Sequence, residues 1–320
     1  MRGMNNADLL GVSKWRALIL ITLFILTSAA LSDCSSSDES IGRSFSVGSG
    51  ENTSLDQSFS AGTGPRVEID NINGPVNIMP TSDGMVRFEA KITRADQLEY
   101  DLRQEGNTVI FESHTVPDFT SGDTPEVVID LWVPVDTTLM INSGNGRIDV
   151  SGMRNAGQLN TGNGEMTIAN TQGKFTGNTG NGKLSLTNVT GEFNLNTGNG
   201  GIKITFGRGE FDLNSGNGEI ELDDVEGSVS ASTGNGRIDF FGALTPLSSN
   251  RISTGNGRVE VKFTETPEAT IDAETKRGQI RNDLIFDRIE LNQPRHLIGV
   301  IGAGGSDLEI DTGDGEIILK

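Results

Sequence analysis

The chain has 320 residues, 42 of them glycine, with 34% hydrophobic and 5% aromatic residues and a formal charge of −19. So much glycine with so few aromatic side chains favours a thin core of small aliphatic residues and many tight turns over one large rounded core. The negative charge argues against nucleic acid as a partner, because nucleic-acid affinity depends on Lys and Arg side chains that meet phosphates.

Residues 1–33 have the order of a secretory signal peptide. The basic side chains of Arg2, Lys14 and Arg16 precede the apolar run "ALILITLFILTSAAL", which occupies residues 17–31. That run is shorter than the roughly 20 apolar residues that a membrane-spanning helix needs. The sequence therefore predicts that the chain is exported across a membrane.

The single cysteine, Cys34, follows this segment directly and excludes an internal disulfide. The stretch "LSDC" that it ends resembles the lipobox at which bacterial lipoproteins are cleaved and acylated, with Asp33 where a small residue is usual. Because the only thiol lies where a lipid would be attached, we predict that Cys34 is lipidated. Cleavage after Ala30 and retention as an uncleaved anchor are the alternatives. Ser35 stands where some bacterial inner-membrane lipoproteins carry Asp, which favours the outer membrane if the host has one.

Residues 34–63 are rich in Ser and Gly and show no apolar period. This composition is typical of a flexible spacer, and it predicts a tether that holds the folded part away from a membrane. Residues 64–140 alternate apolar and polar side chains between turn signals, which predicts short strands. A Gly-Asn turn between Leu98 and Phe111 predicts a hairpin. We expect irregular coils and a cap here, since repeat folds need atypical ends to protect open sheet edges.

From residue 141 the tetrapeptide Ser/Thr-Gly-Asn-Gly recurs at a nearly fixed period. Successive asparagines are 18, 18, 18, 18, 18 and 21 residues apart, at Asn145, Asn163, Asn181, Asn199, Asn217, Asn235 and Asn256. We count positions in each unit from its Ser/Thr as position 0. Positions 5 and 7 are apolar and position 6 is polar in every unit, as in Leu184, Ser185 and Leu186, which is typical of a strand with one wet face. A second apolar run at positions 14 and 16 makes each unit strand, turn, strand, turn.

Two short strands are unstable alone, whereas stacked units pair each strand in parallel with its equivalent one coil away, about 4.8 Å along the axis. We therefore predict an all-β fold: a single-chain β-solenoid, similar to a parallel β-helix, with coils of about 18 residues over residues 141–320. After Thr254 the period loosens. There "TKRG", residues 275–278, replaces the tetrapeptide, and the late "TGDG" carries Asp314 in place of asparagine.

Stacking gives the repeated asparagine a role. Each side-chain amide lies over the previous one and can hydrogen-bond along the axis, as in the Asn ladders of cross-β structures. The two glycines beside each asparagine are expected to adopt positive φ so that the chain turns sharply. The alternative is a calcium-binding turn, but turns of that kind supply carboxylates, whereas all seven units here have neutral asparagine. We predict a structural ladder, with no metal site and no cofactor.

Position 6 also places Glu221, Asp239 and Glu260 in one outward column on consecutive coils, named here the acidic column. Carboxylates roughly 5–10 Å apart can cleave glycosides, so the column is a candidate cation, sugar or catalytic site. Arg237 and Arg258 at position 4 can neutralise it across the pleat, and such exposed ion pairs contribute little. No Gly-x-Ser-x-Gly elbow, no Cys–His nucleophile pattern and no metal-type histidine spacing occurs, so no catalytic residue is predicted.

Three stretches carry a resemblance to a known family: "VVIDLWVPVDTTLMINSGNGRIDV", the tandem "TGNGxIxI" units and the closing "GAGGSDLEIDTGDGEIIL". They resemble a bacterial family of β-strand-repeat envelope proteins, a domain of unknown function known as "putative adhesin". The resemblance covers residues 64–320 and implies the β-repeat architecture. Members are often membrane-anchored or lipoproteins, which supports the prediction for Cys34, and the family brings no catalytic residues.

Together these features favour a non-catalytic cell-envelope β-solenoid anchored by a lipid. It would act as an adhesin, scaffold or surface-interaction module for an unknown envelope or extracellular macromolecule, either protein or polysaccharide. One alternative is a polysaccharide-active β-helix lyase or hydrolase that uses the acidic column. Another is an accessory protein of an envelope-stress system.

Overall fold

The computed structural model of the protein describes residues 44–45, 52–116 and 124–320. The predicted signal peptide and Cys34 lie outside these residues. The described part is built of β-strands, apart from one short 3-10 helix, Ala95–Gln97. None of its helices is long and apolar enough to span a membrane. The all-β fold predicted from the sequence is confirmed.

The central coils contain seven strands. They are β9 (Thr138–Ser143), β10 (Ile148–Ser151), β11 (Ala156–Thr161), β12 (Met166–Thr179), β13 (Leu184–Thr197), β14 (Ile202–Ser215) and β15 (Ile220–Thr233). Strands β12 to β15 pair in parallel with a constant 18-residue offset, so that Met166 lies opposite Leu184 and Phe175 opposite Phe193. This register confirms the predicted β-solenoid with coils of 18 residues.

Inward side chains form continuous rows along the axis. The rings of Phe175, Phe193 and Phe211 stack with centroids 6.0 and 5.8 Å apart, and each ring is buried. Leu184 and Leu186 belong to the aliphatic rows of the other strand run and are also buried. Each fully buried side chain of this kind contributes about 1.5–3 kcal/mol. The core is therefore long and thin, and every coil adds nearly the same layer to it.

The second turn of the four coils that contain β12 to β15 uses left-handed backbone at position 9. The residues there are Asn170, Asn188, Phe206 and Asp224, with φ of 52°, 53°, 58° and 56°. Asn and Asp tolerate this region because their short polar side chains bond locally, whereas a bulky aromatic there is an outlier. Three residues later, Gly173, Gly191 and Gly209 also have positive φ. This corner, rather than the tetrapeptide, is where the chain needs left-handed conformations.

Replacing Phe206 with asparagine is expected to raise the free energy of unfolding by about 1 kcal/mol, because asparagine relieves the left-handed strain. The ring is 56% exposed, so its burial offsets little of that strain. Below it, the side chains of Asn170 and Asn188 are already joined by a 2.8 Å hydrogen bond that a third asparagine would extend. Urea denaturation measures the change. Phe206→Leu keeps a bulky side chain in the same backbone conformation, so its free energy of unfolding should not rise comparably. An equal rise in both variants would show that backbone strain is not the cause.

The glycines of the tetrapeptide serve a purpose other than the one expected. Neither Gly180 nor Gly182 has positive φ, so that expectation was wrong. A Cβ added at Gly182 would instead lie 1.7 Å from the carbonyl oxygen of Gly164 on the preceding coil, and one added at Gly164 would lie 1.9 Å from that of Gly146. Backbones of successive coils approach so closely at this turn that no side chain fits between them.

The N-terminal end of the solenoid is less regular. Its strands are β1 (Ser44–Phe45), β2 (Asn52–Ser60), β3 (Arg66–Asn71), β4 (Val76–Thr81), β5 (Met85–Thr93), β6 (Leu98–Glu105), β7 (Thr108–Thr115) and β8 (Glu126–Pro134). Strands β3 and β4 form a coil that pairs in parallel with β9 and β10. Strands β5 and β8 pair antiparallel beside it. Strands β6 and β7 form the hairpin that the sequence predicts.

The tether predicted over residues 34–63 is wrong for β2. This strand pairs antiparallel with β5 along its whole length, from Asn52 opposite Thr93 to Ser60 opposite Met85. Only Leu55 and Phe59 in it are large and apolar, so its composition resembles a spacer although alternate side chains turn inward. As an outermost strand it needs one apolar face, and two such residues supply it.

The C-terminal coils do not follow the order of the chain. Their strands are β16 (Ile238–Leu244), β17 (Ser249–Thr254), β18 (Val259–Phe263), β19 (Ala269–Thr275), β20 (Ile280–Asn282), β21 (Arg288–Gln293), β22 (His296–Ile301), β23 (Ser306–Thr312) and β24 (Ile317–Leu319). Strands β23 and β24 pair in parallel with β17 and β18 on one side and with β19 and β20 on the other. The antiparallel pair β21–β22 adjoins β19. Residues 306–319 are thus inserted between two coils that precede them in the chain.

Candidate functional site: two amide ladders and an acidic column

The structure brings the seven predicted asparagines into one line, named here the outer ladder. Nδ2 of Asn163 donates to Oδ1 of Asn145 at 2.6 Å, and Nδ2 of Asn181 donates to Oδ1 of Asn163 at 2.5 Å. The same bond continues at 2.6, 2.7, 2.6 and 2.6 Å up to Asn256. Each interior amide thus uses one donor and one acceptor within the ladder. In the described part of the chain its second N–H and second oxygen lone pair face no protein partner.

A second row of amides, named here the inner ladder, was not among the predicted site residues. It consists of Asn142, Asn160, Asn178, Asn196 and Asn214, each directly before a tetrapeptide. Side-chain hydrogen bonds of 2.8, 2.8, 3.0 and 3.2 Å join successive members. The sequence did contain the pattern that predicts this ladder, because an asparagine precedes five successive tetrapeptides. The prediction considered only the asparagine inside the tetrapeptide and so missed the one before it.

A buried row of hydroxyls holds both ladders in place. Oγ1 of Thr197 donates to the carbonyl oxygen of Gly182 on the preceding coil at 3.0 Å and accepts from the N–H of Gly200 at 3.0 Å. The equivalent pair of bonds recurs at Thr179 and Ser215. Each hydroxyl therefore fixes its own turn and ties it to the coil below, so that the flanking asparagines project outward in register.

The two ladders flank a row of glycines at position 1, and we call the three rows together the amide strip. A groove of about 490 Å³ follows the inner ladder and the glycine row, and the outer-ladder asparagines are not among its lining residues. It is lined by Asn160, Asn178, Asn196, Asn214, Gly180, Gly198 and Gly216 with the buried Ser/Thr between them. From residue 142 to residue 256 no charged residue stands in these three rows, where Ser232 and Ser253 take the place of the inner-ladder asparagine in the last two coils. With seven coils about 4.8 Å apart, the neutral surface extends for about 29 Å.

Charged side chains close the strip at one end. Asp314 is the residue of "TGDG" that replaces asparagine, and Arg277 takes the same position in "TKRG". The two coils are neighbours, and the guanidinium of Arg277 lies 3.2 Å from the carboxylate of Asp314. Within the described ranges, no group of three or more His, Cys, Asp or Glu side chains is arranged to hold a metal ion.

The acidic column is assembled as one row but is neutralised by cations. Glu221 lies opposite Asp239, which lies opposite Glu260 on the following coil. Every carboxylate has a basic partner: Lys203–Glu221 at 2.8 Å, Arg237–Asp239 at 2.8 Å, Arg258–Glu260 at 3.3 Å and Lys320–Glu260 at 2.7 Å. Two of these partners, Lys203 and Lys320, were not indicated by the sequence, which pointed only to Arg237 and Arg258.

The environments of the column shift two carboxyl groups in opposite directions. Burial raises the pKa of Asp239, against the opposing effect of Arg237 and Arg258. The hydrogen bond from Lys320 lowers the pKa of Glu260. Opposite shifts occur in acid–base pairs, but here each carboxylate has at least one oxygen in an ion pair, and Oδ1 of Asp239 is buried without a hydrogen-bond partner among the described residues. The grooves at residues 160–216, 280–297 and 263–320 are not lined by a carboxylate of the column.

Comparison with known proteins gives one family and several distant structures. A family model described as Toastrack DUF4097 matches residues 65–320. No curated protein matches the chain in sequence. A "putative adhesin" from Bacteroides fragilis is 12% identical over 84% of this chain and 97% of its own, with a TM-score of 0.43.

Two structures from Parabacteroides distasonis are equally distant. A "putative adhesin" is 15% identical, covering 85% of this chain and 98% of its own, with a TM-score of 0.40. A "putative lipid binding protein" is 13% identical over the same shares, with a TM-score of 0.38. The family assignment therefore depends on the match over residues 65–320.

Proposed function

The chain belongs to the Toastrack DUF4097 family, and from this we propose that it is a non-catalytic surface-interaction module of the cell envelope, acting as an adhesin or scaffold. The observation that carries the proposal is the amide strip. It is a rigid, regular and outward-facing surface about 29 Å long, far more extended than a catalytic constellation requires. Solenoids present long surfaces of this kind to extended partners.

The proposal includes anchoring by a lipid on Cys34. Its support is the sequence: the signal-peptide pattern of residues 1–33, the position of the only thiol and the Ser-rich stretch after it. In a host with an outer membrane, Ser35 favours that membrane. Mass spectrometry of the mature N-terminus tests this directly, since an acylated Cys34 is expected and a free N-terminus after Ala30 would contradict it.

A second candidate, a polysaccharide lyase or hydrolase, is favoured by the opposite pKa shifts of Asp239 and Glu260. The ion pairs along the acidic column argue against it, because a general acid or base must be free to exchange its proton with substrate. None of the described features specifically favours an envelope-stress accessory.

The two functions are distinguished by one experiment on the full chain, kept in detergent and incubated with lipid-extracted bacterial envelope material, so that a lipid on Cys34 cannot account for retention. We expect the chain to be retained by the envelope material and to release no soluble sugar. The variants Glu221→Gln and Asp239→Asn should be retained to the same extent, because the column is not the binding surface. Sugar release that disappears in either variant would establish the enzyme instead, and failure of the unaltered chain to be retained would refute the interaction module.

A further inference from the structure

We propose that the amide strip is the binding surface, and that its ligand is a neutral, linear, β-linked polysaccharide that lies along the solenoid axis. This inference depends on the proposed function and names its partner class. It is carried by the charge, the unused hydrogen-bonding groups and the repeat of the strip.

Charge excludes the polyanionic partners. The chain has a formal charge of −19, yet the three rows of the strip contain no charged residue over seven coils. By contrast, position 4 of the same coils carries Glu165, Lys183, Glu219 and Arg237. A polyuronate, a teichoic-type polymer or a nucleic acid would be repelled by the whole molecule and would find no cation in the groove. An uncharged ligand is not repelled by the negative molecule and needs no cation in the groove.

The free groups of the outer ladder match sugar hydroxyls. Asn181 and Asn199 each donate to the amide below and accept from the amide above, at 2.5–2.7 Å. Each has one further N–H and one further lone pair, and both residues are exposed. A sugar hydroxyl can both donate and accept a hydrogen bond. The free N–H and the free oxygen lone pair of each amide therefore give it one acceptor and one donor per coil. The ladder fixes the amides beforehand, which lowers the ordering cost of binding.

The repeat of the strip suits an extended polymer. Its coils pair in parallel about 4.8 Å apart, with equivalent residues opposite one another along β12 to β15. A β-1,4-linked glucan is an extended ribbon that advances by a similar length per sugar, whereas an α-1,4-linked glucan winds into a helix. The glycine row at Gly180, Gly198 and Gly216 provides a floor without side chains on which a flat ring can rest. Alternate sugars, which face the same way in a two-fold ribbon, then meet equivalent groups on every second coil, and weak contacts add along the chain.

The test uses the full chain, purified in detergent, and isothermal titration with three hexasaccharides. Cellohexaose is neutral and straight, maltohexaose is neutral and curved, and hexagalacturonate is acidic. We expect cellohexaose to bind at least tenfold more tightly than either of the others. Equal binding of all three, or no binding of cellohexaose, would overturn the inference. This comparison uses the unaltered chain, so it tests the proposed ligand class even if a variant fails to fold.

Variants then locate the surface. Changing Asn181 and Asn199 together to alanine should weaken cellohexaose binding about tenfold, the loss expected from one or two net hydrogen bonds. The matched control changes Gln172 and Thr190 to alanine; both are exposed and lie on neighbouring coils outside the strip. Unchanged binding in the first pair would exclude the strip. A chain that is retained by envelope material but ignores cellohexaose keeps the proposed function and loses only this inference.

Discussion

Gly182→Ala is expected to destabilise the protein by about 4 kcal/mol, a loss in the range reserved for severe packing disruption. The added Cβ would lie 1.7 Å from the carbonyl oxygen of Gly164 and 2.9 Å from the N–H nitrogen of Glu165. A Cβ has no rotamer that avoids a backbone clash, so the two coils must separate. Separation breaks the parallel ladder between β12 and β13 and the hydrogen bond that Oγ1 of Thr179 donates to the carbonyl oxygen of Gly164.

The matched control is Gly201→Ala, one residue beyond the following tetrapeptide. Its Cβ would approach the carbonyl oxygen of Glu219 at 3.1 Å, and other coils carry Glu165 or Lys183 at this position. We expect a change within about 1 kcal/mol, since alanine restricts the unfolded chain more than glycine does. Urea denaturation followed by circular dichroism measures both variants. If Gly182→Ala proved as mild as the control, close backbone approach would not be the reason for the glycine.

Thr197→Val is expected to cost about 3 kcal/mol although it preserves the shape of the side chain. Valine removes the hydroxyl that serves Gly182 and Gly200, leaving a carbonyl and an N–H unsatisfied in a position where Thr197 is only 5% exposed. Each unsatisfied buried group costs about 1–3 kcal/mol. Besides lower stability in urea, hydrogen exchange at the Gly200 amide should become faster, because that N–H loses its acceptor.

Thr197→Ser provides the comparison, since serine occupies the same position in two other coils, at Ser143 and Ser215. It keeps both hydrogen bonds and loses one methyl group, so the cost should stay near 1 kcal/mol. If the valine and serine variants were equally stable, the hydroxyl row would make no net contribution to the free energy of unfolding.

The regular part of the fold was predictable because one chemical pattern repeats. Period, strand parity and the inward aliphatic rows follow from positions such as Leu184 and Phe193, and stacking then places every asparagine over the last one. The role of the glycines was not predictable. Whether Gly182 needs positive φ or close approach depends on the distance to the neighbouring coil, which a single unit does not contain.

The strand order of the C-terminal coils could not be predicted, for a different reason. Thr254, Thr312 and Thr275 occupy successive coils in that spatial order, and each makes the same kind of turn. Equivalent surfaces can stack in any order, so local sequence does not choose the neighbour. The same limit applies to the acidic column. Arg237 and Arg258 were visible as partners from spacing, whereas Lys320 reaches Glu260 only through the strand order of the last coils.

The insertion of β23 and β24 decides how this molecule can be made and how it can vary. The coil at residues 269–282 has its proper neighbour only after residues 306–319 have been synthesised, so this end of the rod must close late, by admitting a segment between two others. The middle has no such dependence, because each unit there touches only the units before and after it. Gene duplication or deletion can therefore lengthen or shorten the rod in whole 18-residue steps at its centre, while the interleaved end has to be inherited intact.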